Sequence, residues 1–148
     1  MQAAFDTSTD MITFGPQLSL RGVRMHFGRN AEIFGEGEDA EYIYRVVSGA
    51  VRTMRFTADG RRQILGFHLP GDIFGLEIGD AHTLSAEAVA NCDVVMVRRS
   101  CLDKAASEDP AATRALLALT SEQLSTARAH ALVLGRKGEI GRASCRER

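Results

Sequence analysis

The sequence predicts a mainly β domain, a closed roll or sandwich of short strands, followed by one long α-helix. Three observations carry this reading. Between Val23 and Val97, eight short runs rich in β-branched and aromatic residues recur at near-regular spacing. Gly, Pro, Asp and Ser punctuate them where tight reversals are needed. After Asp109-Pro110 the apolar period changes from that of a strand to that of a helix, and it holds as far as Gly135.

At 148 residues, with 45% hydrophobic and 25% charged residues, the chain suits one compact domain plus an appendage. A net charge of −1 and a pI near 6.4 give no overall basic surface, so bulk composition speaks for neither nucleic acid nor membrane. Cys92, Cys101 and Cys145 are widely spaced, and no Cys-x-x-Cys is present. A thiolate-rich metal or iron–sulfur site would lack closely placed ligands. His26, His68, His82 and His130 form no His-x-His pair and are read as surface or strand residues. With no signal peptide and no long apolar run, the expectation is a soluble, reduced, cytoplasmic protein with no metal, no cofactor and no membrane partner.

Residues 1–20, rich in Ser, Thr and Gln with weak periodicity, are expected to form a loosely held N-terminal arm. Residues 21–108 form the roll. Its strands are expected at Val23–Phe27, Ala31–Phe34, Tyr42–Val47, Val51–Phe56, Gln63–Leu69, Ile73-Phe74, Leu84–Ala90 and Val94–Val97. Ser48-Gly49 and Ala58-Asp59-Gly60 place glycine where hairpins need positive φ. Alternation puts Tyr42, Tyr44 and Val46 on one face and Ile43, Arg45 and Val47 on the other. By the same rule Arg52 and Arg55 fall on opposite faces and do not share a phosphate clamp.

The stretch from Gly66 to Val89 reads as strand, Pro70-Gly71-Asp72 turn, short strand, a mixed helical turn over Ile78–Thr83, and strand again from Leu84. An interruption of this kind can hold a ligand, because a helical turn offers unpaired N–H groups to an anion while the strands wall the pocket. The candidate binding residues are Gly75, Leu76, Glu77, Leu84 and Ser85. From Leu69 to Val97, however, there are five acids (Asp72, Glu77, Asp80, Glu87, Asp93) and no Lys or Arg. A buried phosphate facing Glu77 without a cation would meet a desolvation cost with no compensating pair. A cyclic nucleotide is therefore not expected unless Arg61 or Arg62 reaches in from the hairpin.

Ser100 followed by Asp103 suggests a capped short helix to about Ser107, and Asp109-Pro110 supplies an N-cap and a first-turn proline for the long one. Within residues 109–135, Leu117, Thr120, Leu124, Ala127, Ala131 and Leu134 follow a heptad seam, which Leu116, Leu119 and Leu132 widen. Either the whole stripe packs on the roll, or one flank does so while the seam meets the same helix of a second chain. Residues 136–148 carry five basic and two acidic residues and two glycines, and are expected to be a disordered tail or foreign read-through.

An enzyme needs convergent groups. The histidines are not spaced for a cupin metal site, and no nucleophile–base pairing or phosphate-binding glycine loop is visible. A binding or regulatory domain is expected, not an enzyme.

The order of elements resembles the sensor half of the CRP/FNR family of bacterial transcription regulators, and is most similar to its FixK branch. The residues that carry the resemblance run from Ala31-Glu-Ile-Phe-Gly-Glu-Gly-Glu to Val51-Arg52, then Asp59-Gly-Arg-Arg-Gln-Ile64 and Phe67-His-Leu-Pro-Gly-Asp-Ile-Phe-Gly-Leu-Glu77. It covers roughly Gly22 to Lys137. The resemblance implies a cyclic-nucleotide-binding-like β-roll (a double-stranded β-helix or cupin-like jelly roll), a homodimer formed through the long helix, and a regulator of microaerobic respiration and nitrogen-fixation genes. An intact family member would also bind palindromic DNA and RNA polymerase through a helix-turn-helix domain. In this chain Leu84 stands where the family's nucleotide-binding arginine is expected, the arm lacks the cysteine cluster of iron–sulfur oxygen sensors, and the family pattern is lost after Lys137. The leading expectation is a sensor and dimerisation fragment without its DNA-binding domain. The alternative is a stand-alone cyclic-nucleotide-binding regulatory module.

Overall fold

The computed structural model describes residues 10–14, 18–77 and 79–146, with the side chains of residues 130, 131 and 133–146 left undescribed. Ten strands precede two helices: β1 Met11–Thr13, β2 Ser19–Arg21, β3 Val23–Phe27, β4 Glu32–Phe34, β5 Tyr42–Ser48, β6 Val51–Phe56, β7 Arg62–His68, β8 Ile73–Phe74, β9 Ser85–Ala88, β10 Cys92–Arg98, α1 Arg99–Glu108 and α2 Pro110–Arg146. Two four-stranded antiparallel sheets, ordered β3-β10-β5-β8 and β4-β9-β6-β7, face each other, and β1 and β2 form a separate hairpin. This is the β-roll that the eight regularly spaced runs predict.

The turns follow from their residues. Leu69-Pro70-Gly71-Asp72 closes with the Asp72 amide donating to the Leu69 carbonyl at 2.9 Å, proline at the second position and Gly71 at φ +95°. That is the pattern of a type II turn, in which only glycine is unstrained at the third position. The Asp72 carboxylate also accepts the Leu69 amide at 2.8 Å.

Alternation along β5 divides the core in two. Tyr44 and Val46 join Phe34, Val51, Phe74, Ala86, Ala88, Cys92 and Val94 between the sheets. Ile43 faces the other way and packs with Val95, Val97, Ile73, Leu102 and Ala112 beneath the helices. Strands β5 and β10 of this sheet are thus buried on both faces, each large apolar side chain contributing about 1.5–3 kcal/mol by leaving water.

Three expectations are corrected here. The described part of the N-terminal arm, residues 10–14 and 18–20, is not loosely held. Ile12, Phe14 and Leu18 are buried in the second core cluster, and the β1–β2 hairpin lies over β10. The outward row of Val95 and Val97 needs an apolar cover, and Ile12 and Phe14, two residues apart on one face, provide it. At α1 the N-cap is Arg98 with no side-chain capping bond, so Ser100 does not cap it. The long helix does not stop at Gly135 but continues to Arg146, where a disordered tail was expected. Extending an existing helix avoids a new nucleation step, and about 1 kcal/mol per glycine does not stop a segment that also contains Lys137, Glu139, Arg142 and Ala143. The start of α2 is as the sequence predicts: the Asp109 carboxylate accepts the Ala111 amide at 2.9 Å with Pro110 in the first turn.

Candidate functional site

Residues 75–84 link β8 to β9 at the mouth of the space between the sheets. Gly75 begins the link with φ +80°, and a Cβ there would lie 2.7 Å from Tyr44 Cδ2, so the chain turns into the loop only because this residue has no side chain. The expected helical turn over Ile78–Thr83 is absent among the described residues. Instead Asp39 and Ala81 form an antiparallel bridge. The Ala40 amide donates to Asp80 O, His82 N to Glu38 O and Gly37 N to His82 O, each at 2.8 Å. Of the loop's own amides, that of His82 is thus taken by the Glu38 carbonyl, while the Asp80 and His82 carbonyls accept from Ala40 and Gly37.

The interior behind the loop is full of rings. Phe34 and His82 stack at 3.7 Å with an interplanar angle of 8°. Tyr44 lies 5.3 Å from Phe34 and 5.1 Å from Phe74, and His68 stacks on Phe74 at 5.2 Å. Burial first, then Tyr42, Glu38 and Glu41, pushes the Tyr44 hydroxyl up to about 12, so it stays neutral. Burial lowers the pKa of His82 against the opposing pull of Glu77 and Glu38, and lowers that of His68 against Asp72.

The candidate residues end in different places. The Glu77 side chain is 13% exposed and accepts the Thr83 amide at 3.0 Å and the Thr83 hydroxyl at 3.3 Å on each carboxylate oxygen. Ser85 is buried, and its hydroxyl accepts the Glu36 amide at 2.9 Å. Leu84 is half-buried. Leu76 turns away from this loop and packs against the cluster beneath the helices. Neither hairpin arginine reaches in. Arg61 is 85% exposed beside Asp59, and Arg62 pairs with Glu87 at 3.3 Å. Arg52 pairs with Glu87 and donates to Asn30 at 3.1 Å. Arg55 has separate partners, reaching Thr83 O at 3.4 Å and Glu36 at 3.9 Å. An open groove of about 430 Å³ lies elsewhere, between Asp39–Tyr42, Asp80 and the start of α1. Among the described residues no group of three or more His, Cys, Asp or Glu side chains is placed to hold a metal ion, and no helix is long and apolar enough to cross a membrane.

On α2 the two flanks differ. Ala112 is buried, Leu116 and Leu119 pack against the roll, and the Gln123 side-chain amide donates to Ile73 O at 3.0 Å. The seam residues Leu117, Thr120, Leu124 and Ala127 face outward, Leu117 at 63% and Leu124 at 51% exposure. The side chains of Ala131 and Leu134, also assigned to the seam, lie outside the described residues.

Residues 24–109 match the cyclic nucleotide-binding domain family. The chain belongs to that family. Within it, the chain is similar to the FixK branch of the CRP/FNR regulators. It is 51% identical over 111 residues to the nitrogen fixation regulation protein FixK of Azorhizobium caulinodans, across 75% of this chain and 45% of that protein. It is 37% identical to FixK of Rhizobium meliloti, across 75% and 49%. Among solved structures it is similar to FixK2 from Bradyrhizobium japonicum, with a TM-score of 0.74 and 50% identity over 79% of this chain and 59% of that one. The chain spans about half the length of the curated relatives it matches.

In this cyclic nucleotide-binding domain, sequence reasoning missed two groups beside the loop, Arg55 and His82. Arg55 bonds the loop backbone at Thr83, and its place follows from the pairing of Met54 with Ser85, a long-range register with no local signal. His82 sits between glycine, aspartate and threonine neighbours that read as an exposed turn, yet it is buried against Phe34.

Proposed function

We propose that this chain is the sensor and dimerisation portion of a FixK-like transcription regulator, a homodimer through α2 that acts by binding and not by catalysis, in the cytoplasm. The observation that carries the proposal is the outward-facing row of Leu117 and Leu124 on a helix whose opposite flank is already packed. An apolar stripe on a helix with one side satisfied fits a coiled-coil partner of the same kind. The relatives named FixK regulate nitrogen fixation, and the same role is proposed for the intact protein, which would contact palindromic DNA and RNA polymerase through residues beyond these 148.

The pocket residues Gly75, Glu77, Leu84 and Ser85 are read as a vestigial site without a nucleotide ligand. The support is the pairing of the His82 and Thr83 amides within the fold and the attachment of the nearby arginines to Glu36, Asp59 and Glu87. Sedimentation of the chain at tens of micromolar tests the dimer: a two-chain mass is expected, and a monomer overturns the proposal. In gel-shift assays at about 150 mM salt, the 148-residue chain alone should show no preference for a palindrome over scrambled DNA, because α2 and its basic end offer phosphate contacts only. A tenfold preference would place a base-reading element within these residues.

A further inference from the structure

Around Glu77 the loop has the form of an anion site with its anion in place. Two donors converge on one carboxylate, and a buried ring nitrogen faces it. The Thr83 amide lies 3.0 Å from Oε1, and the Thr83 hydroxyl lies 3.3 Å from each oxygen. Facing it is the imidazole of His82, whose Nδ1 is 3.6 Å from Oε1, beyond hydrogen-bond reach, and has no hydrogen-bond partner, although the side chain is only 1% exposed. A buried ring nitrogen in that state is costly unless a charged group faces it. The cradle is held from outside by the Phe34 stack at 3.7 Å and by the backbone bonds of His82 to Glu38 and Gly37. Its far side is tied down as well, since Arg99 at the start of α1 donates to the carbonyl of Gly79.

We infer that Thr83 and His82 form an oxyanion site of carboxylate class, and that the chain's own Glu77 occupies it as an internal ligand. The inference deepens the reading of this loop as closed to nucleotides, and rests on it. A carboxylate tethered six residues from the amide that donates to it acts at an effective concentration that free small anions do not reach, so the site is filled whatever the cell contains. The loop that a diffusible effector would order is ordered by folding alone. Removing the carboxylate while leaving the donors should open the site to an external one.

The test is amide hydrogen exchange at Thr83 in the full chain, with acetate as the probe. In Glu77→Ala the Thr83 amide should exchange at least about tenfold faster than in the unmodified protein, while Val94 and Val95 in the core strand keep their protection. Sodium acetate at about 50 mM should restore most of the protection, and sodium chloride at equal ionic strength should not. Unchanged exchange at Thr83 in the variant, or equal action of the two salts, overturns the inference. Should Glu77→Ala not fold, the unmodified protein answers the same question: on acid titration the Thr83 amide proton should move in step with the Glu77 carboxyl carbon resonance, and independent movement overturns it. Cyclic AMP calorimetry reads the nucleotide question separately, so the two failures are distinguishable.

Discussion

Inside the roll, Phe34, Tyr44 and Phe74 are 4%, 4% and 3% exposed, whereas on α2 Leu117 and Leu124 are 63% and 51% exposed. The same solvent acts on both sets, and the difference lies in what the surrounding chain offers them. Between the sheets Phe34, Tyr44 and Phe74 each meet another ring, and the loop that closes the space binds its own carboxylate. Along the seam no part of the described chain covers the leucines, although Leu116 and Leu119 one or two positions away are packed. A region that satisfies its own groups has little use for a small molecule. A region that leaves large apolar groups in water calls for a macromolecule.

The most damaging way to break the closed region is Phe74→Ala, which removes a ring touching Phe34, Tyr44 and His68. It should cost about 3–5 kcal/mol in urea unfolding, a large share of the stability of a domain this size. A loss under 1 kcal/mol would mean the rings are loosely packed. Leu124→Glu acts on the open region. It should turn dimers into monomers, weakening association by about a hundredfold or more, or about 3 kcal/mol, with the unfolding curve of the isolated fold nearly unchanged. Sedimentation and urea titration of the same sample check both halves.

Smaller effects sharpen the contrast. Cyclic AMP should bind the unmodified chain at millimolar strength or weaker, no more than about 4 kcal/mol. Leu84→Arg should tighten this by about tenfold in calorimetry, since it adds the missing cation but leaves the rings and Glu77 in place. A micromolar affinity before substitution would assign the cation to another residue, with Arg55 the first to replace.

The smallest effect concerns pH. Burial lowers the pKa of His82, with Glu77 and Glu38 acting to raise it, Arg99 to lower it, and Phe34 stacked on the ring. The unfolded chain then takes up a proton near the usual histidine value of about 6.5 that the folded chain refuses, so stability falls as pH drops from there through the folded pKa. His68, lowered by burial, acts in the same direction. Melting temperature should decline on acidification across this window, and His82→Phe, which keeps a ring on Phe34, should reduce the decline. An undiminished decline would assign the effect to other groups.

Much of this was legible from the chain. Strands β3 to β10 are all found within a few residues of their expected limits, because period-two alternation and turn glycines are local signals. The partition of Tyr44 and Val46 from Ile43 could be read for the same reason. What escaped depended on partners distant in sequence. Ile12 and Phe14 look unremarkable until Val95 and Val97 are placed beneath them. The loop after Gly75 is not helical because Asp39 and Glu38 take its backbone groups, more than forty residues upstream of Ala81 and His82. Gly135 resembled a helix stop, yet a single glycine is a weak one when the residues beyond it favour helix.

The bond from Gln123 to the Ile73 carbonyl has a further consequence. Successive helix residues are set about 100° apart in azimuth, so a contact at one position clocks all the others. With Gln123 pinned to β8, Leu124 and Leu117 are indexed to the outer side, and α2 cannot roll by one residue without breaking that bond and lifting Leu119 from the roll. The strand that leads into the loop of Gly75 and Glu77 thus sets the compass bearing of the exposed leucine row. A displacement of Ile73 that keeps this bond carries the helix, and its outer leucine row, with it.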